Sequence, residues 1–369
     1  MSKRKKRRLN RKQQEIRRKR LKKRRRRRVI VIVIELIILC ILGTTAFALF
    51  KLGKLDHTSL NNVKNNGLKQ TGYTNVALFG LDSRGKNLGK GNRTDTIMIA
   101  SINNETKKVK LVSVYRDTML KQNGEHYDKA NAAYSVGGAE TAVNMLNENL
   151  DLDIQDYVSV NFLALADVID MIDGITVKMT DEEVVNMNNY CVETSKVTGK
   201  SYEKIKPEVA GTYKLNGVQA VSYARIRYTA GGDYKRTERQ RLVLEKTVNK
   251  LKKQNFTTIN KIVDKVMPEV STSFTTKEIL ALAAGMFDYE LGETTGFPFD
   301  LETPEKISGY SGSYVIAKGL EENVKQLHEF LYPDKDYTPT ATVTDISDTL
   351  ADMTNVYPDR TESGSSQYE

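Results

Sequence analysis

Val29 to Phe50 reads VIVIVIELIILCILGTTAFALF, 22 residues with Glu35 as their single ionisable group. At ~1.5 Å per helical residue this spans about 33 Å, the thickness of a bilayer's hydrocarbon core. The stretch before it, residues 1–28, holds 19 Lys or Arg and one acid, Glu15. That tail carries +18 against +11 for the whole chain, so everything else is mildly acidic, about −7. Residues 29–50 therefore read as a transmembrane helix with a basic tail, 1–28, on the cytoplasmic side and all that follows Phe50 outside the cell. A cleavable signal peptide ending near Ala46-Phe47-Ala48 is the rival, against which the long apolar run and long basic region weigh. A polyanion-binding arm is the other rival, but the abutting apolar span already accounts for the charge, and no nucleic-acid partner is expected.

Cys40 lies in the apolar run and Cys191 stands alone, which excludes a disulfide framework. The three histidines, His57, His126 and His328, are too scattered for a zinc site or a Ser-His triad. Residues 51–72 are polar and aperiodic and read as a stalk. Short apolar runs at Asn75–Gly80, Thr96–Ile102 and Lys108–Val114 read as strands, the last two joined by a hairpin turn at Asn103–Thr106. A helix interrupted at Gly137-Gly138 follows over Lys129–Leu150; strands at Tyr157–Phe162 and Ile175–Met179 flank an apolar helix at Leu163–Ile172. Residues 181–214 are polar and give no clear pattern. Helices are expected at Val218–Ala224, Thr237–Lys252, 258–266, 275–288 and 319–331, and a strand at Ser313–Ile316. The fold class is α/β: a mixed central sheet covered by helices on both faces, over 73–332, with a disordered tail from 333 to 369.

The charged residues fall where strands begin and end. Asp82 and Arg84 follow the first strand, Arg93 and Asp95 precede the second, and Arg116-Asp117 follow the third. A hairpin puts Asp95 and Arg116 at one sheet edge, and a first strand parallel to the third brings Asp82 there. Two carboxylates among three arginines suit a divalent cation and a phosphate in one site. Exposed ion pairs worth roughly 0–1 kcal/mol are the plainer reading of any one of them, and the clustering weakens it. Gly80-Leu-Asp-Ser-Arg-Gly-Lys-Asn87 imitates a nucleotide phosphate loop, but Asn87 stands where Mg²⁺ coordination needs Ser or Thr. Outside the membrane there is no ATP pool, so a phosphate carried by a lipid of the same bilayer is the expected substrate class.

GLDSRG (80–85), NRTDTIMIASIN (92–103), VKLVSVYRDTML (109–120), KANAAYSVGG (129–138), LNGVQAVSYARIRYTAGGDYKRTERQR (215–241) and LHEFL (327–331) together resemble the LytR-CpsA-Psr family of cell-wall enzymes. The resemblance runs in order over about residues 73–332. It implies an α/β/α phosphotransferase of a Gram-positive cell membrane. Such an enzyme moves a glycopolymer from an undecaprenyl-pyrophosphate carrier to the N-acetylmuramic acid 6-hydroxyl of peptidoglycan. It further implies Mg²⁺, with Mn²⁺ as a substitute, at Asp82 and Asp95, and pyrophosphate binding by Arg84, Arg93, Arg116, Arg225, Arg227 and Arg236, with Asp233 and Gln240 completing the site. Arg116 counts among the catalytic residues, and Asp233 and Asp117 are the two candidates for taking the hydroxyl proton. An apolar tunnel for the prenyl chain is also implied, with Leu163–Ile172 and Ile279–Phe287 as candidate walls. Tyr115 departs from the family's usual Pro. Arg239 and Arg241 are expected to point away from the site into solvent. A non-catalytic binder of anionic wall polymer or lipid, a polyprenyl-pyrophosphate hydrolase and a transcriptional regulator remain as alternatives.

Overall fold

The computed structural model describes residues 56–83, 88–285 and 287–358. The basic tail and the apolar run at 29–50 lie outside these; among the described residues no helix is long and apolar enough to cross a membrane. In chain order the elements are β1 (Asp56–His57), β2 (Tyr73–Leu81), β3 (Thr94–Asn103), β4 (Lys108–Val114), β5 (Met119–Lys121), β6 (Tyr127–Lys129), α1 (Ala132–Leu150), β7 (Ile154–Asn161), α2 (Phe162–Met171), β8 (Ile175–Met179), α3 (Asp181–Thr198), β9 (Gly211–Leu215), α4 (Gly217–Arg225), α5 (Gly232–Leu251) and α6 (Phe256–Val266). They continue with β10 (Val270–Thr272), α7 (Thr276–Ala284), β11 (Glu290–Phe297), β12 (Leu301–Glu302), β13 (Ile316–Ala317), α8 (Leu320–Leu331) and α9 (Ala341–Thr354).

The central sheet is mixed, in the order β1-β10-β7-β2-β3-β4-β11. β3 runs antiparallel to both β2 and β4, which makes β2 and β4 parallel, and β7 and β11 run with them. One sheet edge thus receives the ends of β2, β4, β7 and β11 and the start of β3. The hairpin turn between β3 and β4 forms where expected: the Asn103 side chain accepts from the Glu105 and Thr106 backbone N–H groups, and Lys107 takes φ 58°.

Alternation along the strands divides the core in two. Ala77, Phe79, Leu81, Ile97, Ile99, Val112 and Val114 face α1, α8 and α9 in one continuous apolar cluster. On the other face lie a smaller cluster reaching α5 and α7 and a separate core built by α2 to α6 with the β8-β9 hairpin. Close packing of the last begins at Gly217, where a Cβ would stand 2.2 Å from the Ala166 carbonyl oxygen.

Several expectations need correction. The polar segment 181–214 contains α3, capped by Thr180 and Glu183 in a reciprocal capping box. β11, which polar and glycine-rich ELGETTGF conceals, adds a parallel edge strand beside β4. Part of the expected stalk is docked: β1 pairs with β10, and Asn61, Lys64 and Asn66 bond to Glu140, Asn144 and Asp151 along α1. Nor is the segment after 333 a disordered tail over its described length. The buried Asp151 carboxylate accepts from Tyr337 Oη (2.5 Å), Thr340 N (2.8 Å) and Thr340 Oγ1 (2.7 Å), and Val343, Ile346 and Leu350 of α9 complete the core. Ile346→Ala should accordingly cost about 2–4 kcal/mol in chemical denaturation, whereas a loosely attached tail would show no change.

His328 joins the two ends of this face. Its ring lies against Tyr337 with centroids 3.6 Å apart, and Nε2 donates to the Leu150 carbonyl at 2.9 Å. Burial pushes its pKa below the ordinary 6.5, partly opposed by the Leu150 carbonyl and by Asp151. The unfolded chain then binds the proton at higher pH than the folded one, so this contribution to stability is full above about pH 6.5 and is lost as pH falls through that value. Thermal melts should show a slope below pH 6.5 that His328→Gln flattens.

Candidate active site

At the sheet edge the β3–β4 register pairs Ile97 with Val114, and two further steps set Asp95 opposite Arg116. Their side chains meet: Arg116 Nη1 donates to Asp95 Oδ1 at 2.5 Å. Burial alone would lower the Arg116 pKa, but Asp95, Asp117 and Asp233 together raise it, so the group is a permanent cation. The Asp95 backbone carbonyl accepts from Arg236 Nη2 (3.3 Å) and from Gln240 Nε2 (3.4 Å), two residues four apart on one face of α5. Asp95 thereby fixes strand to helix.

Asp233 opens α5, and the turn before it is made by Gly231 and Gly232 at φ 88° and 46°, a left-handed path that favours glycine. Its carboxylate lies 3.0 Å from Arg236 and 3.9 Å from both Arg116 and Arg227. These are ion pairs without hydrogen-bond alignment, and both Asp233 oxygens are buried with no hydrogen-bond partner. Desolvation raises the Asp233 pKa, while Arg236 and Arg116 pull it down. Arg236 is only 4% exposed, and burial lowers its pKa. Asp117 is held by Lys129 at 3.0 Å, Arg227 at 3.3 Å and Arg116 at 3.7 Å. Four cations, Arg116, Arg227, Arg236 and Lys129, therefore surround three carboxylates, and the Nε groups of Arg116 and Arg236 have no hydrogen-bond partner. Such a cluster has donors ready for an added anion.

Of the other expected residues, Arg93 and Asp82 lie at the same sheet edge. Arg93 is exposed at the start of β3, and its carbonyl accepts from the Asp82 N–H, which places Asp82, also exposed, beside it at the edge. Arg225 makes no contact with the carboxylate cluster. It pairs with Glu193 at 3.1 Å, bonds Thr194, and lies 4.9 Å over the Phe162 ring. Arg84 lies outside the described residues. Among the described residues no group of three or more His, Cys, Asp or Glu is placed to hold a metal. Two carboxylates at adjacent strand ends still suit Mg²⁺, which takes one or two carboxylates and completes its shell with phosphate oxygens and water.

Beneath the cluster an apolar cavity of about 260 Å³ runs between the sheet and the helices. Leu78, Thr96, Met98, Val158 and Val160 form its floor, Phe162, Leu165, Val221, Ala224, Val243 and Leu244 its roof, and Asp95, Arg225, Arg236 and Gln240 its polar end. The walls differ from those expected: of Leu163–Ile172 only Leu165 lines it, no described residue of Ile279–Phe287 does, and α4 and α5 supply the rest. A second opening of about 490 Å³ lies beyond the Arg116–Asp95 pair and is mainly polar.

Arg239 and Arg241 do point away from the cluster, but neither is solvated. Arg239 is buried, donating to Glu183 Oε1 (2.8 Å), the Ile226 carbonyl (3.1 Å) and Thr229 Oγ1 (2.8 Å), and so holds the α4–α5 turn. Arg241 is half-buried near Tyr115, and burial lowers its pKa. Tyr115 fills the space over Gly296 and packs edge-on against Tyr234 at 4.8 Å. Lys129, missed as a site residue, was visible only as a cation just before α1.

The LytR_cpsA_psr family model matches residues 47–323. The chain belongs to that family. Among curated relatives, "Biofilm regulatory protein A" of Streptococcus mutans is 33% identical over 187 residues, 48% of this chain and 43% of that protein. "Polyisoprenyl-teichoic acid--peptidoglycan teichoic acid transferase TagU" of Enterococcus faecalis is 31% identical over 222 residues, 58% of this chain and 67% of that one. The chain thus spans less than half the length of the first relative and about two thirds of the second. "TagT bound to LIIa-WTA" shares the fold with a TM-score of 0.57 at 22% identity, over 75% of this chain and 99% of that one. TagT "with bound octaprenyl pyrophosphate lipid" gives 0.53 at 22% identity, over 74% and 99%.

Separate roles for two neighbouring arginines follow. Arg236→Ala should weaken the binding of an added anion, with inorganic pyrophosphate as the probe, roughly 10- to 100-fold by calorimetry, the value of a charge-assisted hydrogen bond. Arg239→Ala should instead cost about 3 kcal/mol of stability, because it leaves the mostly buried Glu183 without its cation.

Proposed function

We propose that this protein is a membrane-anchored phosphotransferase, its α/β domain outside the cell, that moves a glycopolymer from a polyprenyl-pyrophosphate carrier onto peptidoglycan. The observation that carries the reading is the juxtaposition of an apolar cavity with a buried arginine–carboxylate cluster at its polar end. A lipid pyrophosphate has that division of chemistry in one molecule. The naming of TagU as a teichoic acid transferase, and of a TagT structure with octaprenyl pyrophosphate, supports it.

In this reading the prenyl chain lies between the sheet floor and α2, α4 and α5. Arg225, Arg236 and Gln240 hold the lipid-side phosphate, and Arg116 and Arg227 the phosphate that bears the sugar. Asp82 and Asp95 would hold Mg²⁺, which when bound neutralises charge on the phosphoryl oxygens. An acceptor hydroxyl, expected to be the 6-hydroxyl of N-acetylmuramic acid, attacks the sugar-linked phosphorus; the bond from that phosphorus to the bridging oxygen breaks, and polyprenyl phosphate leaves. The hydroxyl proton passes to Asp117, which borders the polar opening, whereas Asp233 lines neither opening and serves to hold its three arginines. The arginines stabilise the charge that accumulates on the phosphoryl oxygens, in a site where their orientation is already set.

The test is a cell-free assay with labelled lipid-linked donor and uncrosslinked peptidoglycan. Label should enter the wall fraction in a Mg²⁺-dependent manner and fall by about 100-fold or more in Arg116→Ala. Donor that is bound but never consumed would favour a binding protein, and lipid release with no label in the wall would favour a hydrolase.

A further inference from the structure

Past the phosphate position at Arg116 and Arg227, the polar opening beyond the Arg116–Asp95 pair has no assigned occupant. It is built by the break in α1: Gly138 adopts φ 74°, ψ −159°, so the first turn of the helix departs from the axis of the rest. That turn is fixed by Gly91 N–H donating to the Ser135 carbonyl at 2.9 Å and by Tyr134 Oη donating to the Leu88 carbonyl at 2.7 Å. The facing wall is set by Tyr314, whose hydroxyl donates to Asp128 at 3.0 Å and whose ring lies 4.9 Å below the Lys129 ammonium. Lys129 in turn reaches Asp117 at 3.0 Å, so the wall and the carboxylate at the base of the cleft are tied together. Asp128, Asn131, Ser135 and Ser311 bring donors and acceptors to the cleft, and Val136, 74% exposed, stands at its rim.

We propose that this cleft is the acceptor subsite and takes a strand of hydroxyl-rich amino-sugar glycan. The inference rests on the transferase reading and adds to it where the second substrate binds. The argument is directional. A phosphoryl group transfers with attacking and leaving oxygens in line. The lipid phosphate leaves toward the apolar cavity on one side of the Arg116–Asp95 pair, so the hydroxyl arrives from the other, and the cleft is the opening on that side. Its lining of four cations, Arg93, Arg116, Lys129 and Arg227, with carboxylate, amide and hydroxyl groups between them, supplies donors and acceptors for a sugar's hydroxyl and amide groups and offers no apolar floor to a prenyl chain.

Val136→Trp and Ser311→Trp place a bulky ring at two exposed rim positions, away from the arginine cluster and without burying anything the core needs. In the full-length protein, each should raise the KM for a soluble uncrosslinked peptidoglycan glycan fragment roughly tenfold. The KM for the lipid-linked donor should stay within about twofold, and saturation-transfer NMR should show the fragment bound to the parent protein and lost from both variants. An unchanged acceptor KM would overturn the proposal, as would a rise confined to the donor KM, which would give the cleft to the donor's own polymer. The binding arm separates the two readings: fragment binding that both variants abolish supports the cleft even if no transfer occurs, whereas transfer that both variants leave intact removes the cleft and keeps the transferase.

Discussion

The structure depends on how the first residues of β3 are held. Asp95 receives Arg116 on its carboxylate and Arg236 and Gln240 on its carbonyl, so β3 and the helix that roofs the cavity meet through one residue. Taking charges out of water costs several kcal/mol each, and removing one partner from such a cluster leaves the others uncompensated. The cluster is therefore a poor way to stabilise a fold and a good way to define a site. Its buried Asp233 carboxylate and the buried Nε groups of Arg116 and Arg236 lack the hydrogen bonds that an ordinary core would have supplied.

The two sheet faces divide the work. The face under α1, α8 and α9 is filled with apolar side chains and tied down by Asp151 and His328, groups that gather the chain before β2 and after α8 around the end of α1. The opposite face leaves Leu78, Val158 and Val160 only partly covered, and there the cavity opens. Stability concentrated on one face leaves the other able to keep apolar surface for a ligand. The polar cleft comes from the glycine break in α1, at the margin between the two.

The charged centre was legible because hairpin topology is a local property: once β3 and β4 are joined by a four-residue turn, Asp95 and Arg116 must share an edge, and the parallel relation of β2 to β4 follows from their common neighbour. Other features depend on partners far along the chain. Arg239 looked solvated from its helix position because Glu183, the residue that buries it, lies in a segment without clear periodicity. β11 reads as a polar loop until β4 supplies its hydrogen bonds, and α9 reads as a tail until Asp151 supplies its anchor. The cavity walls differ for the same reason: an apolar helix can face a cavity or a core, and only packing decides that α4 and α5 line the cavity.

The central claim is that one lipid pyrophosphate bridges the apolar cavity and the arginine cluster. The most direct measurement is a crystal structure of the domain with a short polyprenyl pyrophosphate. The account predicts prenyl density between Leu78 or Val158 and Leu165 or Val243, with phosphate oxygens within hydrogen-bond distance of Arg116 and Arg236. A chain lying elsewhere on the surface, with the arginines still turned on their own carboxylates, would contradict it.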